Sequence, residues 1–359
     1  MQNHVYIIAE AGVNHNGSYE LARELVDAAK TSGADAVKFQ TFDPEALVSR
    51  HAQKAEYQKA TTGESGSQLD MLRQLTLSQA QQKDLQAYCR DQGIDFLSSP
   101  FDIGSAEWLL DGLKLSTLKL GSGELTNGPL LLAIAQRGVD LILSTGMSTL
   151  EEVEEALAVL AYGYSYAELP ASFSQIQAAF TKPKSLERLQ TKVTLLHCVT
   201  EYPTPSDQIN LTAMDSLRSA FGLTVGYSDH TAGITAAIAA TARGAQMIEK
   251  HLTLDRGMEG PDHRASLEPD EFAEMVSGIR EVERMLGDGR KRPAACEIKN
   301  IPIARKSLVA ACDIKAGEPF SVENLTTKRP GDGFSPLRYW ELLGQAASRD
   351  FEADEVIRE

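Results

Sequence analysis

The chain has 359 residues, 42% of them hydrophobic and 24% charged, and a formal net charge of −15. It is long for a single domain and fits one large core with a small second domain. The acid excess argues against nucleic acid as a partner, and no apolar run of about 18 residues or more is present to span a membrane. The opening segment, MQNHVYIIAEAG, has no basic stretch and turns strand-like at once, so no signal peptide is expected. Cys89, Cys198, Cys296 and Cys312 are scattered without CxxC spacing, which points to reduced thiols and a cytoplasmic location. In so acidic a chain a phosphate site has to be built from a few well-placed lysines and arginines.

In chain order, Val5–Glu10 reads as a strand. The turn-forming loop AGVNHNG follows, then Ser18 as N-cap of an amphipathic helix over Tyr19–Thr31. Ala36–Gln40 is the second strand. Residues 41–68 read as a long loop with a polar stretch from Thr61 to Ser67, and a loop of that length is usually functional or mobile. Helices are expected at 69–75 and 78–92. Asp95–Ser98 is strand three, Ile103–Gly112 a helix and Thr117–Leu120 strand four. The turn Gly121-Ser122-Gly123-Glu124 precedes a helix at 128–137. Leu141–Ser144 is strand five, with a helix at 149–160, and 162–190 looks like an insertion. Val193–His197 is strand six, followed by a Pro-rich loop and a helix at 211–220. Leu223–Tyr227 and Met247–His251 are strands seven and eight, joined by the Ala-rich helix Ala232–Ala242. Phe272–Leu286 is the eighth helix.

Eight β/α units over about 285 residues predict a (β/α)8 TIM barrel at 1–286. An open doubly wound sheet is the runner-up, and it is disfavoured because no GxGxxG follows the first strand. Residues 287–303 have the character of a linker. From 304 to 359 short apolar pieces alternate with turns, which predicts a small β-rich domain. Within it, Asp313–Phe320 and Asp350–Ile357 form a weak internal echo, DIKAGEPF and DFEADEVI.

In a barrel the site lies at the C-terminal ends of the strands. There the sequence places Glu10, Lys38, Gln40, Ser98, Ser99, Lys119, Ser122, Glu124, Ser144, His197, Ser228, Asp229, His230, Glu249 and His251. Period-two alternation sets Lys38 and Gln40 opposite Val37 and Phe39, and Lys119 opposite Leu118 and Leu120. Buried lysines must be paired, and pairing with Glu10 and Glu124 would satisfy them. Two lysines among serine hydroxyls and a Gly-Ser-Gly turn suit a phosphorylated substrate. Glu10 and Glu124 suit acid–base work.

Parallel strands seven and eight end at one sheet edge, so His230 and His251 become neighbours although 21 positions apart. Ser228 shares a face with His230, and Glu249 with His251. Two imidazoles beside carboxylates suggest half of a divalent-metal shell, unless both histidines merely satisfy loop backbone. Metal, anion-holding lysines and carboxylates together suit chemistry at a carbonyl.

The segments IAEAGVNHNGS (8–18), AVKFQTF (36–42), SSPFD (98–102), KLGSGE (119–124), LSTGM (143–147), LLHC with EYPTP (195–205), GYSDHT (226–231), IEKHLT (248–253), GPDHRAS (260–266) and TTKRPGDG (326–333) resemble the sialic acid (N-acetylneuraminate) synthase family. The resemblance runs in the family's order from about residue 5 to the end. It implies a C-terminal antifreeze-like (SAF) domain. It also implies condensation of phosphoenolpyruvate with an N-acetylated mannosamine-type sugar, giving a nine-carbon 2-keto acid and phosphate with Mn2+ or Mg2+. By resemblance His230 and His251 are the metal ligands. Lys38, Ser99, Lys119, Ser144 and Ser228 resemble the phosphoenolpyruvate contacts. Glu10 and Asp262 resemble groups that hold the sugar or metal-bound water, and Glu124 with Ser122 orients or deprotonates the attacking water. Arg329 resembles the residue that one subunit inserts into the site of another, which implies a domain-swapped homodimer.

Some family members carry Asn where this chain has Thr61-Thr62-Gly63 and Val199-Thr200-Glu201. The pattern here is closer to legionaminic acid synthases, whose acceptor is a 2,4-diacetamido-6-deoxy mannose. Two rival readings are a Schiff-base aldolase with Lys119 or Lys38 as nucleophile and a carbohydrate-binding protein working through its C-terminal module.

Overall fold

The computed structural model describes residues 4–49 and 67–358. The chain divides into two compact units, Met1–Gly287 and Asp288–Glu359. In the first, eight strands form one parallel sheet: β1 (Tyr6–Gly12), β2 (Ala36–Thr41), β3 (Asp95–Pro100), β4 (Thr117–Leu120), β5 (Asp140–Ser144), β6 (Val193–His197), β7 (Thr224–Asp229) and β8 (Met247–His251). Their order is β3-β2-β1-β8-β7-β6-β5-β4, with β1 paired to both β2 and β8. β3 and β4 meet across the remaining seam without a paired rung, giving a nearly closed barrel.

The alternation within each strand explains the layering. One face carries Ile7, Ala9, Val37, Phe39, Leu118, Leu120, Leu141, Leu143, Leu195, Val225, Tyr227 and Ile248, all packed against the helices in the main core. The other face points into the barrel, where Ile8, Ala36, Leu97, Ile142 and Leu196 form an apolar floor with Tyr6 and Met247 around it. Two residues further along the same strands, the inward positions become Glu10, Lys38, Ser99, Ser144 and Glu249. Gly226 belongs to this interior. A Cβ there would lie 2.4 Å from Met247 O and 2.6 Å from Leu196 Cδ2, so β7 approaches β8 and β6 closely only because the position is glycine.

The helices start where capping chemistry predicts. Ser18 accepts from the Leu21 amide at 3.3 Å, and capping boxes open the helices Gln68–Arg73, Gln79–Gln92 and Leu150–Gly163. The stretch at 162–190 is mostly helical. Helix Leu150–Gly163 carries on through the buried Tyr162, and Phe173–Phe180 and Pro183–Lys192 follow. The region read as a long loop contains the short helix Pro44–Leu47, capped by Asp43. Thr61, Thr62 and Gly63 lie outside the described residues. Among the described residues no helix is long and apolar enough to cross a membrane.

The second unit pairs β9 (Ser307–Ala310) antiparallel with β10 (Leu325–Lys328). Its core gathers Leu308, Ala310, Ile314, Phe320, Leu325, Leu342, Ala347, Phe351 and Ile357. The internal echo is structural. Ile314 and Phe351 exchange both backbone hydrogen bonds at 2.9 Å. Asp350 accepts from the Ala316 amide at 2.8 Å and Asp313 from the Ala353 amide at 2.9 Å.

Candidate active site

The polar strand ends open into one cavity of about 500 Å³ at the C-terminal end of the barrel. Glu10, Lys38, Ser99, Lys119, Ser122, Glu124, Ser144, His230, His251 and Asp262 all line it. A cavity of about 570 Å³ at the opposite end, beside Tyr6, Asp95 and Met247, holds no such convergence. Its ionic groups pair among themselves, Lys192 with Asp140 and Tyr6 with Asp95.

Four buried charges dominate the cavity floor. Lys38 Nζ lies 2.7 Å from Glu10 Oε2 and 3.6 Å from Glu249 Oε2, and Lys119 Nζ lies 3.2 Å from Glu249 Oε1. Lys119 therefore pairs with Glu249 rather than Glu124. Burial pushes the Glu10 carboxyl up, against the pull of Lys38. Burial also works against the charge of Lys38, but Glu10 and Glu249 hold its ammonium above the ordinary value. Burial opposes ionisation of Glu249 too, yet Lys119 and Lys38 draw its carboxyl down to about 2. Ser228 reaches the same centre from β7, donating to Glu249 Oε1 at 2.9 Å.

Hydroxyls surround the lysines. Lys38 donates to Ser99 Oγ at 3.2 Å, which leaves the Ser99 proton free to point at a ligand. Ser144 Oγ and Thr200 Oγ1 are buried without a hydrogen-bond partner and face the same space. Ser122 Oγ accepts from the Gly146 amide at 2.9 Å and touches Cys198 Sγ at 3.1 Å. Glu124 accepts from Asn127 Nδ2 at 2.7 Å, and burial raises its carboxyl pKa. The half-buried Asp262 is pushed up to about 7 by burial and by the nearby Glu10.

His230 and His251 come together as the βαβ geometry predicts, with ring centroids 5.7 Å apart. Tyr202 covers both, 4.2 Å from the first ring and 5.7 Å from the second. His230 Nδ1 is bonded to Val199 O at 2.6 Å, which turns Nε2 toward Ser228. Burial lowers the pKa of His230 to about 4, and burial with His230 beside it takes His251 well below the ordinary value. Both are thus neutral near pH 7, the state in which imidazole binds metal. His251 Nδ1 is buried with no hydrogen-bond partner. Among the described residues no three His, Cys, Asp or Glu side chains converge on one point. The two neutral imidazoles, one with a buried and unpartnered Nδ1, are donors that fit a divalent ion.

Arg329 lies in the second unit, exposed, with Nε donating to Ala304 O at 3.1 Å. The counter-ion role of Glu249 is absent from the sequence reading. The signal available for it was the face it shares with His251, together with the lysines at neighbouring strand ends. Thr200 and Tyr202 line the cavity as well, which brings the 199–201 stretch into the site.

The NeuB family description matches residues 25–291, and the SAF domain description matches residues 305–359. The chain is 49% identical over 353 residues to N,N'-diacetyllegionaminic acid synthase of Campylobacter jejuni, covering 98% of each. It is 41% identical to the Legionella pneumophila protein of the same name, covering 98% of this chain and 93% of the relative. Among solved structures, an N-acetylneuraminic acid (sialic acid) synthetase from Leptospira borgpetersenii superposes with a TM-score of 0.69 at 30% identity. That match covers 84% of this chain and 91% of the other.

Proposed function

Because the chain belongs to the NeuB family, we propose that it condenses phosphoenolpyruvate with an N-acetylated mannosamine-type sugar to give a nonulosonic acid and phosphate. The observation that carries this reading is the convergence, in one cavity, of two buried lysines, unpartnered hydroxyls and two neutral imidazoles. Lys38 and Lys119, with Ser99, Ser144 and Ser228 beside them, hold the phosphate and carboxylate of the enol substrate. His230 and His251 hold the metal, Mn2+ or Mg2+ in this reading. When bound, that ion polarises the aldehyde oxygen of the open-chain sugar.

The enol carbon C3 attacks the aldehyde carbon, forming the new C–C bond while the aldehyde oxygen takes a proton. C2 becomes electrophilic and accepts water. Glu124, its basicity raised by burial, takes the water's proton, and Ser122 beside it orients that water. Collapse of the C2 adduct breaks the C–O bond to phosphate and leaves the 2-keto acid. Glu10 and Asp262 hold the sugar hydroxyls at the cavity wall.

For the acceptor, the 2,4-diacetamido-2,4,6-trideoxy mannose is favoured over N-acetylmannosamine. The support is the likeness to two proteins named N,N'-diacetyllegionaminic acid synthase, together with Thr200 at the cavity wall. Arg329 is proposed to serve the cavity of a second subunit in a homodimer. The test is phosphate release from phosphoenolpyruvate with Mn2+, comparing the two sugars. Turnover with the diacetamido sugar well above that with N-acetylmannosamine is expected. The reverse preference reassigns the acceptor, and no release with either refutes the reading.

A further inference from the structure

The barrel also carries a buried charge pair outside the cavity. Asp229 and Lys250 stand on the helix-facing side of β7 and β8, beside Val225, Tyr227 and Ile248, and both side chains are fully shielded from solvent. Each immediately precedes one of the two histidines in sequence. They are Cα partners on the last paired rung between the strands. His230 and His251 lie one residue beyond that rung, where the ladder no longer fixes the distance between β7 and β8.

Three bonds take over from the ladder. Lys250 Nζ donates to Asp229 Oδ2 at 2.9 Å and to Thr231 O at 2.5 Å. The Thr231 amide donates to Asp229 Oδ1 at 2.9 Å. The ring so formed encloses the backbone of His230. One ammonium, rooted next to His251, grips the residue before His230 and the residue after it. Apolar side chains of similar volume would fill this dry layer with less desolvation cost, so the charged ring is not needed for packing alone. What it supplies is a fixed spacing.

We propose that Asp229 and Lys250 are positioning residues that set the separation of His230 and His251 for a divalent cation. The inference rests on the metal reading above. Such outer partners hold ligating groups in place, and their loss typically weakens metal binding by about 10- to 100-fold.

The test is Mn2+ binding by calorimetry on the full chain after chelator treatment. The variant is Asp229→Asn combined with Lys250→Met. It keeps the turn acceptor for the Thr231 amide, removes the grip across the strands and leaves no unpaired charge. The expected result is a Mn2+ Kd about tenfold or more above wild type. As control, Leu85→Ala opens a void elsewhere in the core and should lower the melting temperature with the Kd unchanged. If the double variant does not fold, Asp229→Asn with Lys250→Gln, equally free of unpaired charge but with a shorter arm toward Thr231 O, should raise the Kd several-fold. Wild-type affinity in whichever variant folds overturns the inference alone. Wild-type protein that binds no Mn2+ overturns the metal reading and the inference together.

Discussion

Glu249→Gln is the perturbation whose consequences follow most directly from the site geometry. The carboxylate sits 3.2 Å from Lys119 and 3.6 Å from Lys38. At an effective dielectric of about 20 those separations correspond to roughly 5 kcal/mol each of Coulomb attraction. Much of that is offset by the several kcal/mol spent in desolvating each ion. The amide keeps the shape but leaves two buried ammoniums with Glu10 as their nearest carboxylate, the situation in which breaking a buried pair costs about 3–5 kcal/mol. For a barrel of this size, with an unfolding entropy of about 2.1 cal/mol/K per residue, a loss of about 3 kcal/mol lowers the melting temperature by roughly 5 °C. An anion in the cavity restores the missing charge, so inorganic phosphate should stabilise the variant more than wild type, by up to about 2.7 kcal/mol at a hundred times its Kd. Differential scanning fluorimetry with and without phosphate measures both effects. A variant as stable as wild type, or one that phosphate stabilises no more than wild type, would refute the assignment of Lys38 and Lys119 as a balanced anion site.

Asp262 gives a pH signature. Its carboxyl is raised to about 7 in the folded protein, above the unfolded value of about 3.9. The folded state therefore holds a proton that the unfolded state releases, and this stabilising contribution is complete at low pH and lost as pH rises from about 4 to about 7. Asp262→Asn removes the titration, so its stability relative to wild type should rise across that interval; a pH-independent difference in melting temperature contradicts the shift. Borohydride with pyruvate should trap no covalent adduct, and mass spectrometry finding one on Lys119 or Lys38 would favour a Schiff-base aldolase. His251→Ala should abolish metal-dependent phosphate release, because it removes one of the two imidazoles to which the proposal assigns the metal; wild-type-like turnover would discard the metal assignment.

The eight β/α units were legible because each strand alternates helix-facing apolar residues with barrel-facing ones and ends in a polar residue. That rule also put Lys38, Lys119, His230 and His251 at one end of the barrel. Ion-pair partners were legible only in part: Lys38 meets Glu10 as expected, but the partner of Lys119 was not readable. Which carboxylate meets Lys119 depends on the angular positions of β4 and β8 around the barrel, and that choice selected Glu249 over Glu124. The helices within 162–190 carried weak local signals, Ser172 as N-cap and Pro183 at a first turn. Their apolar positions matter only against helix Leu150–Gly163, and a linear reading does not show that. Asp229 read as one more strand-end residue of the site and Lys250 as an ordinary charge; the structure turns both to the helix-facing side, and the ring around His230 exists only once β7 and β8 lie side by side.

The central claim is that the enol carbon of phosphoenolpyruvate attacks an aldehyde and that phosphate leaves with cleavage of the C–O bond. Phosphoenolpyruvate labelled with 18O at the bridging oxygen tests it directly, with Mn2+ present and the diacetamido sugar and N-acetylmannosamine supplied in turn. Phosphorus NMR should show the label in the released phosphate. Unlabelled phosphate would mean P–O cleavage and contradict the mechanism.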